Sequence, residues 1–137
     1  RRPEHDRDGR ARYIASMTPP APRRRVLFVE DEPALRTSYE RFFRDRYAMQ
    51  FAATGSAALA AVKVAPPEVM ILDMRLPDTD GLALLQEVRR GHPALPVIVT
   101  TAYVSVEPKL RMLDLQVSGY LIKPFDPSDL GATIDAA

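Results

Sequence analysis

Val69-Met70-Ile71-Leu72-Asp73-Met74-Arg75-Leu76-Pro77-Asp78-Thr79-Asp80-Gly81 is the stretch from which the architecture follows. Four apolar residues in a row, without the alternation of a half-exposed strand, describe a strand covered on both faces. A carboxylate closes the run, and the Pro, Asp and Gly after it turn the chain. Asp73 is thereby held at the rim of a sheet rather than in its core. In open α/β sheets that rim, outside the carboxyl ends of the strands, is where ligands bind. A second run, Val26-Leu27-Phe28-Val29, ends in Glu30-Asp31-Glu32. Two strands that finish in carboxylates concentrate negative charge on one edge, and such a cluster needs a cation.

Outward from these runs, apolar and amphipathic segments alternate. Strands are expected at 26–29, 49–53, 69–72, 96–100 and 119–122. Helical spacing is found in 34–46 (Leu35, Tyr39, Phe42, Phe43), 56–64 (Leu59, Val62), 82–90 (Leu82, Leu85, Val88) and 107–115 (Leu110, Leu113). A last helix is expected to start with Asp126 as N-cap and Pro127 at its first position. Five strands alternating with five helices predict an α/β fold, a parallel sheet with helices on both faces. Phe42, Phe43 and Phe51 read as core, and Asp78 and Asp80 as turn residues, with Asp80 capping the helix that begins near Gly81.

The chain has 137 residues, 46% hydrophobic and 27% charged, which suits one globular domain. No apolar stretch approaches the ~20 residues of a membrane span, and the N-terminus lacks a signal-peptide core. Without Cys there is neither a disulfide framework nor a thiolate metal site nor a Cys nucleophile, which fits a cytoplasmic location. The net charge of +1 hides an asymmetry: residues 1–25 hold eight Arg against Glu4, Asp6 and Asp8, leaving the remainder mildly acidic. Residues 1–24, basic and Pro-rich with few large apolar side chains, are expected to be disordered, and residues 25–137 to form the domain. The arm has neither aromatic interleaving nor amphipathic period, so no nucleic-acid or membrane contact is expected of the domain. Met17 is the expected natural start. Gly131 and the sparse apolar content of the last segment imply either a short helix or a domain cut from a longer chain.

Four strand ends bring polar groups to one rim: Glu30 and Asp31, then Asp73, then Thr101, then Lys123. Three neighbouring carboxylates raise one another's pKa unless a cation intervenes. With oxygen donors only, and with His5 and His92 far from these motifs, the expected ion is hard and divalent. Mg²⁺ suits one or two carboxylates together with a phosphate. Lys123 offers a point charge to a phosphoryl oxygen and Thr101 a hydroxyl donor. Metal, ammonium and hydroxyl around one carboxylate describe a phosphoryl-transfer site.

The segments VLFVEDEP (26–33), ILDMRLPDTDGL (71–82), PVIVTTA (96–102) and GYLIKPF (119–125) stand in this order. Asp31 precedes Asp73 by 42 residues, Thr101 follows 28 later, and Lys123 another 22 on. Residues 25–137 so resemble the receiver domain of a two-component response regulator. The resemblance implies a flavodoxin-like sheet of strand order 2-1-3-4-5 and a signalling switch rather than an enzyme turning over a small substrate. It implies that Asp73 is the phosphoacceptor, taking a phosphoryl group from a phosphohistidine on a sensor kinase or phosphotransfer protein. Glu30, through water, Asp31, Asp73 and the backbone carbonyl of Arg75 would hold Mg²⁺. Lys123 would pair with Asp73 at rest and with the phosphoryl group afterwards. Thr101 and Tyr120 would be the switch pair, reshaping the face of the fourth helix, fifth strand and fifth helix. A downstream protein, a fused output domain or a second copy of the chain would read that face. The Lys123–Pro124 bond would be cis, and Thr100 would point into the sheet.

Glu30 stands where an Asp is commoner, and Arg75 and Tyr103 occupy positions that resemble those tuning hydrolysis, which predicts slow dephosphorylation. Competing readings are weaker. An aspartyl-phosphate phosphatase usually has a second acid two residues after the nucleophile, and here that residue is Arg75. A degenerate interaction module gives no reason to keep all five site residues, and no Gly-rich phosphate loop follows the first strand.

Overall fold

The computed structural model describes residues 22–137. The basic arm expected to be disordered lies almost wholly outside them. Strands and helices alternate in the order β1 (Arg24–Val29), α1 (Pro33–Phe43), β2 (Tyr47–Ala52), α2 (Gly55–Val64), β3 (Val69–Asp73), α3 (Gly81–Gly91), β4 (Val97–Thr101), α4 (Val106–Met112), β5 (Gly119–Ile122) and α5 (Pro127–Ala136). All strand pairs are parallel, and the sheet order is β2-β1-β3-β4-β5, the flavodoxin-like arrangement. The order reverses between β1 and β3, so the rim above that pair is the topological switch point.

β3 and β4 are buried at every position, as continuous apolar runs in a doubly covered sheet should be. Alternate residues face opposite layers. Val26, Phe28, Val69, Ile71 and Ile98 pack against Tyr39 and Phe43 of α1 and Leu130 and Ile134 of α5. Leu27, Val29, Met70, Leu72, Val97 and Val99 pack against Val62 of α2, Leu84, Leu85 and Val88 of α3 and Leu110 of α4. Each such side chain contributes roughly 1.5–3 kcal/mol by burial. The two layers clamp the central strands and give their ends a fixed platform.

Local chemistry explains the element ends. Asp80 accepts the Ala83 N–H at 2.7 Å, Thr54 the Ala57 N–H at 3.0 Å and Asp126 the Ser128 N–H at 3.0 Å, three N-caps at their helices. Four expectations need correction. α1 ends at Phe43 rather than running to 46, and the chain turns there with the Arg46 N–H on the Phe43 carbonyl at 2.9 Å. Phe42 is not core but 44% exposed, lying edge-on to Phe43 at 4.9 Å, because the inward stripe of α1 runs through Tyr39 and Phe43. β2 begins at Tyr47, whose buried ring packs on Phe43, rather than at Met49. α4 stops at Met112, well before residue 115. Asp114 adopts φ 54°, its N–H meets the Arg111 carbonyl, and the Leu115 N–H meets the Leu110 carbonyl at 2.9 Å. That is a Schellman stop with Asp in the usual glycine position, and it leaves Leu113 exposed.

Candidate functional site

The strand ends meet in one cleft beside the switch point, lined by Glu30, Asp31, Asp73, Arg75, Thr101 and Lys123 among others. β1 delivers Glu30 and β3 delivers Asp73, each almost wholly buried, while Asp31 is exposed at the mouth. One ligand oxygen from each of Glu30, Asp31 and Asp73 can be chosen so that all three lie within 4.8 Å of one another. Three oxygens at that spacing, all from carboxylates and with no nitrogen or sulfur donor in the set, fit a small hard divalent cation.

At rest the negative charge is met by Lys123, carried just past β5. Its Nζ donates to Glu30 Oε1 at 2.9 Å and to Asp73 Oδ2 at 3.2 Å. The other oxygens are held by backbone: the Arg75 N–H donates to Asp73 Oδ1 at 3.2 Å, and the Glu32 N–H to Glu30 Oε2 at 3.3 Å. The Arg36 guanidinium donates to the Glu30 carbonyl at 2.9 Å, fixing the turn from β1 into α1. Glu32, the residue before α1, makes no side-chain cap bond there, and Pro33 fills the first helical position.

Burial pushes the Glu30 carboxyl up to about 7, with the Lys123 hydrogen bond pulling it back and the Asp73 charge adding to the rise. For Lys123 burial works toward a lower pKa. The hydrogen bond to Glu30 and the charges of Asp73 and Glu30 outweigh it, so the ammonium stays above its ordinary range. Three carboxylates facing one ammonium leave the site two positive charges short of balance, which a divalent ion would relieve.

Thr101 ends β4 fully buried, and its Oγ1 accepts the Tyr103 N–H at 3.1 Å. Thr100, the neighbour expected to face the sheet, is equally buried. Tyr120 is half-buried against the α2–α3–α4 layer, and its hydroxyl donates to the Tyr103 carbonyl at 2.8 Å. The Arg75 guanidinium lies over the Tyr103 ring, 5.2 Å from its centroid, so the two side chains meet at the edge of the cleft. The Lys123–Pro124 bond is cis.

Sequence reasoning missed two features. Tyr39, read only as a helical core position, carries a buried hydroxyl with no hydrogen-bond partner among the described residues. Asp78, read as a turn residue, accepts from the Gly55 and Ser56 N–H groups at 2.8 and 3.0 Å, and this holds its carboxyl below the usual range. Neither has a local signal, because both depend on elements far away in the chain.

The chain resembles known proteins along the same span. Residues 26–135 match the family model of the response regulator receiver domain. The transcriptional regulatory protein BaeR of Escherichia coli O6:H1 is 34% identical over 111 residues, 80% of this chain and 46% of that protein. The probable transcriptional regulatory protein TcrX of Mycobacterium tuberculosis is 38% identical over 101 residues, 73% of this chain and 43% of TcrX. The structure of the chemotaxis response regulator CheY4 of Vibrio cholerae superposes with a TM-score of 0.74 at 29% identity, covering 82% of this chain and 97% of that one. The chain thus spans less than half the length of these curated transcriptional relatives. None of its described helices is long and apolar enough to cross a membrane. A flavodoxin-like sheet whose carboxylate-rich rim falls inside the matched span leaves one assignment: the chain belongs to the response regulator receiver domain family of two-component signalling.

Proposed function

We propose that Asp73 is the phosphoacceptor of this receiver and that the cleft works with Mg²⁺. The observation that carries the reading is the Glu30–Asp31–Asp73 oxygen cluster, faced by Lys123 and closed by Thr101. Glu30 through water, Asp31, Asp73 and the Arg75 carbonyl would hold the ion. When bound, Mg²⁺ supplies charge neutralisation for the phosphoryl oxygens.

The remaining work falls to the chain itself. An Asp73 carboxylate oxygen attacks the phosphorus of a phosphohistidine on a sensor kinase or phosphotransfer protein. The new O–P bond forms as the P–N bond breaks, and the departing electron pair returns to the imidazole nitrogen. Lys123, already 3.2 Å from Asp73, passes to a phosphoryl oxygen. Thr101 gives up its role as acceptor for the Tyr103 N–H and donates its hydroxyl to the same group. Tyr120 is tied to the Tyr103 carbonyl, so the segment after Thr101 carries the change to α4, β5 and α5. That face is where a downstream protein, an output domain or a second copy would bind. The chain acts as a switch in the cytoplasm rather than as a turnover enzyme.

Incubation with acetyl phosphate and Mg²⁺ tests the reading. The expected result is an acid-labile mass gain of one phosphoryl group that EDTA abolishes. No gain from acetyl phosphate or from phosphorylated kinases would instead identify a module that binds partners without phosphorylation.

Arg75 and Tyr103 give the phosphorylated state a long life by obstructing the attacking water. Their cation–π contact, 5.2 Å to the centroid, supports this lid. Arg75→Ala and Tyr103→Ala are each expected to speed decay about fivefold, which corresponds to ~1 kcal/mol, the worth of a partly exposed pair of this kind. The measurement is decay of the phosphoprotein after donor removal. Unchanged lifetimes in both variants would remove the lid from the account.

A further inference from the structure

Asp78 lies outside the cleft, yet it joins the loop that carries Arg75 to a different helix. Its two carboxylate oxygens take the Gly55 N–H at 2.8 Å and the Ser56 N–H at 3.0 Å, across 23 and 22 residues of chain. These are free donors of the first turn of α2, which no carbonyl within the helix can satisfy. Thr54 takes the next one, from Ala57, so local capping is already in use and Asp78 completes it from outside. The approach is close: a Cβ on Gly55 would sit 2.5 Å from the Thr79 methyl. At its other end the 74–80 loop is tied by the Arg75–Asp80 bridge and by the Gly81 N–H to the Met74 carbonyl at 2.8 Å. The loop therefore has a base fixed at α3, in which Arg75 pairs with Asp80, and a tip fixed on α2 by Asp78.

We propose that Asp78 is a positioning residue for the metal and phosphoryl site: its grip on the first turn of α2 holds the loop so that the Arg75 carbonyl stays in place beside Asp73. The inference rests on the reading of the cleft given above. A two-point clamp on the N–H groups of a rigid helix restrains the loop along two directions, whereas a surface turn would leave its tip free. Outer residues that orient a ligand can be worth about tenfold in metal affinity. Asp78 acts through Arg75 and needs no contact with the ion or the phosphoryl group.

The test is a Mg²⁺ titration of the full chain followed by amide NMR shifts, on wild type, Asp78→Ala, Asp78→Asn and Thr54→Ala, with urea midpoints measured in parallel. Thr54→Ala is the control, because it removes a cap bond from the same helix end without touching the loop. Both alanine variants should lower the midpoint. Only Asp78→Ala should weaken Mg²⁺ binding, by about tenfold. Asp78→Asn, which keeps one side-chain oxygen for the Gly55 N–H, should recover part of the affinity. If Asp78→Ala is too unstable to titrate, Asp78→Asn carries the comparison and must fall below wild type. Wild-type Mg²⁺ affinity in the Asp78 variants, beside a lowered midpoint, would overturn the proposal and leave Asp78 a helix cap only. A wild type whose cleft amides do not respond to Mg²⁺ would overturn the reading of the cleft itself, and that result appears before any variant is compared.

Discussion

Lys123→Met is expected to destabilise the metal-free protein by about 3 kcal/mol at pH 8 and by much less at pH 5. The substitution keeps most of the aliphatic stem and removes the ammonium that donates to Glu30 and Asp73. The side chains of Glu30 and Asp73 are only 3% and 7% exposed, so water cannot replace the lost charge. Breaking one partner out of a buried ion pair typically costs about 3–5 kcal/mol, because a charge is left uncompensated. The pH dependence follows from Glu30. Its folded-state value of about 7 lies above the ordinary carboxyl value of 4.5, so the folded form binds a proton the unfolded form releases. The stabilisation from that bound proton is complete below the unfolded value and is lost as pH rises through about 7. At pH 5 the protonated Glu30 makes little demand on Lys123; at pH 8 its carboxyl is ionised and its demand is full. Urea denaturation with EDTA at the two pH values measures the effect, and Mg²⁺ should restore most of the loss at pH 8. Equal losses at both pH values would mean that the ionisation of Glu30 does not set the demand on Lys123.

Gly81→Ala is expected to cost about 3 kcal/mol, at the upper end of what overpacking produces. A Cβ there would lie 2.5 Å from the Met74 Cα and 2.8 Å from the Asp73 carbonyl oxygen. Both neighbours are backbone, so no side chain can turn away. Either α3 moves outward or the strand end carrying Asp73 shifts, and the bond from the Gly81 N–H to the Met74 carbonyl is strained in both cases. Phosphoryl uptake should slow with it, because Asp73 and the loop move together. Gly91→Ala provides the contrast, since a Cβ at Gly91 would meet nothing within 4 Å among the described residues. It ends a helix without positive φ, and the same substitution there should stabilise by roughly 0.5–1 kcal/mol. A Gly81→Ala midpoint within error of wild type would show that the loop yields freely, against the account of a rigid rim.

Much of this was legible in the primary structure, for reasons that are local. Val69–Leu72 reads as a doubly covered strand because a continuous apolar run has no polar face to expose. Asp80 and Asp126 read as caps because a short carboxylate before a helix finds the first free N–H groups within three residues. Glu30, Asp31, Asp73, Thr101 and Lys123 could be gathered on one rim because parallel strands all end on the same side. What escaped depends on tertiary contact. Phe42 and Phe43 are adjacent and chemically identical, and only the seating of α1 on the sheet decides that Phe43 goes inward. The end of α4 hangs on Asp114 adopting a left-handed conformation that Asp only sometimes takes. That Lys123 lies nearer to Glu30 than to Asp73, and that Asp78 reaches α2, are distances between elements, which no residue spacing encodes.

The central claim is that Asp73, in this cleft, is the residue that takes the phosphoryl group. The most direct measurement is its location. After acetyl phosphate and Mg²⁺, borohydride reduces an aspartyl phosphate to homoserine, and peptide mass spectrometry reads its position. The account predicts homoserine at position 73 and nowhere else, with none formed in EDTA or in Asp73→Asn. Homoserine at another carboxylate of the wild type, or phosphoryl uptake by Asp73→Asn equal to that of the wild type, would contradict it.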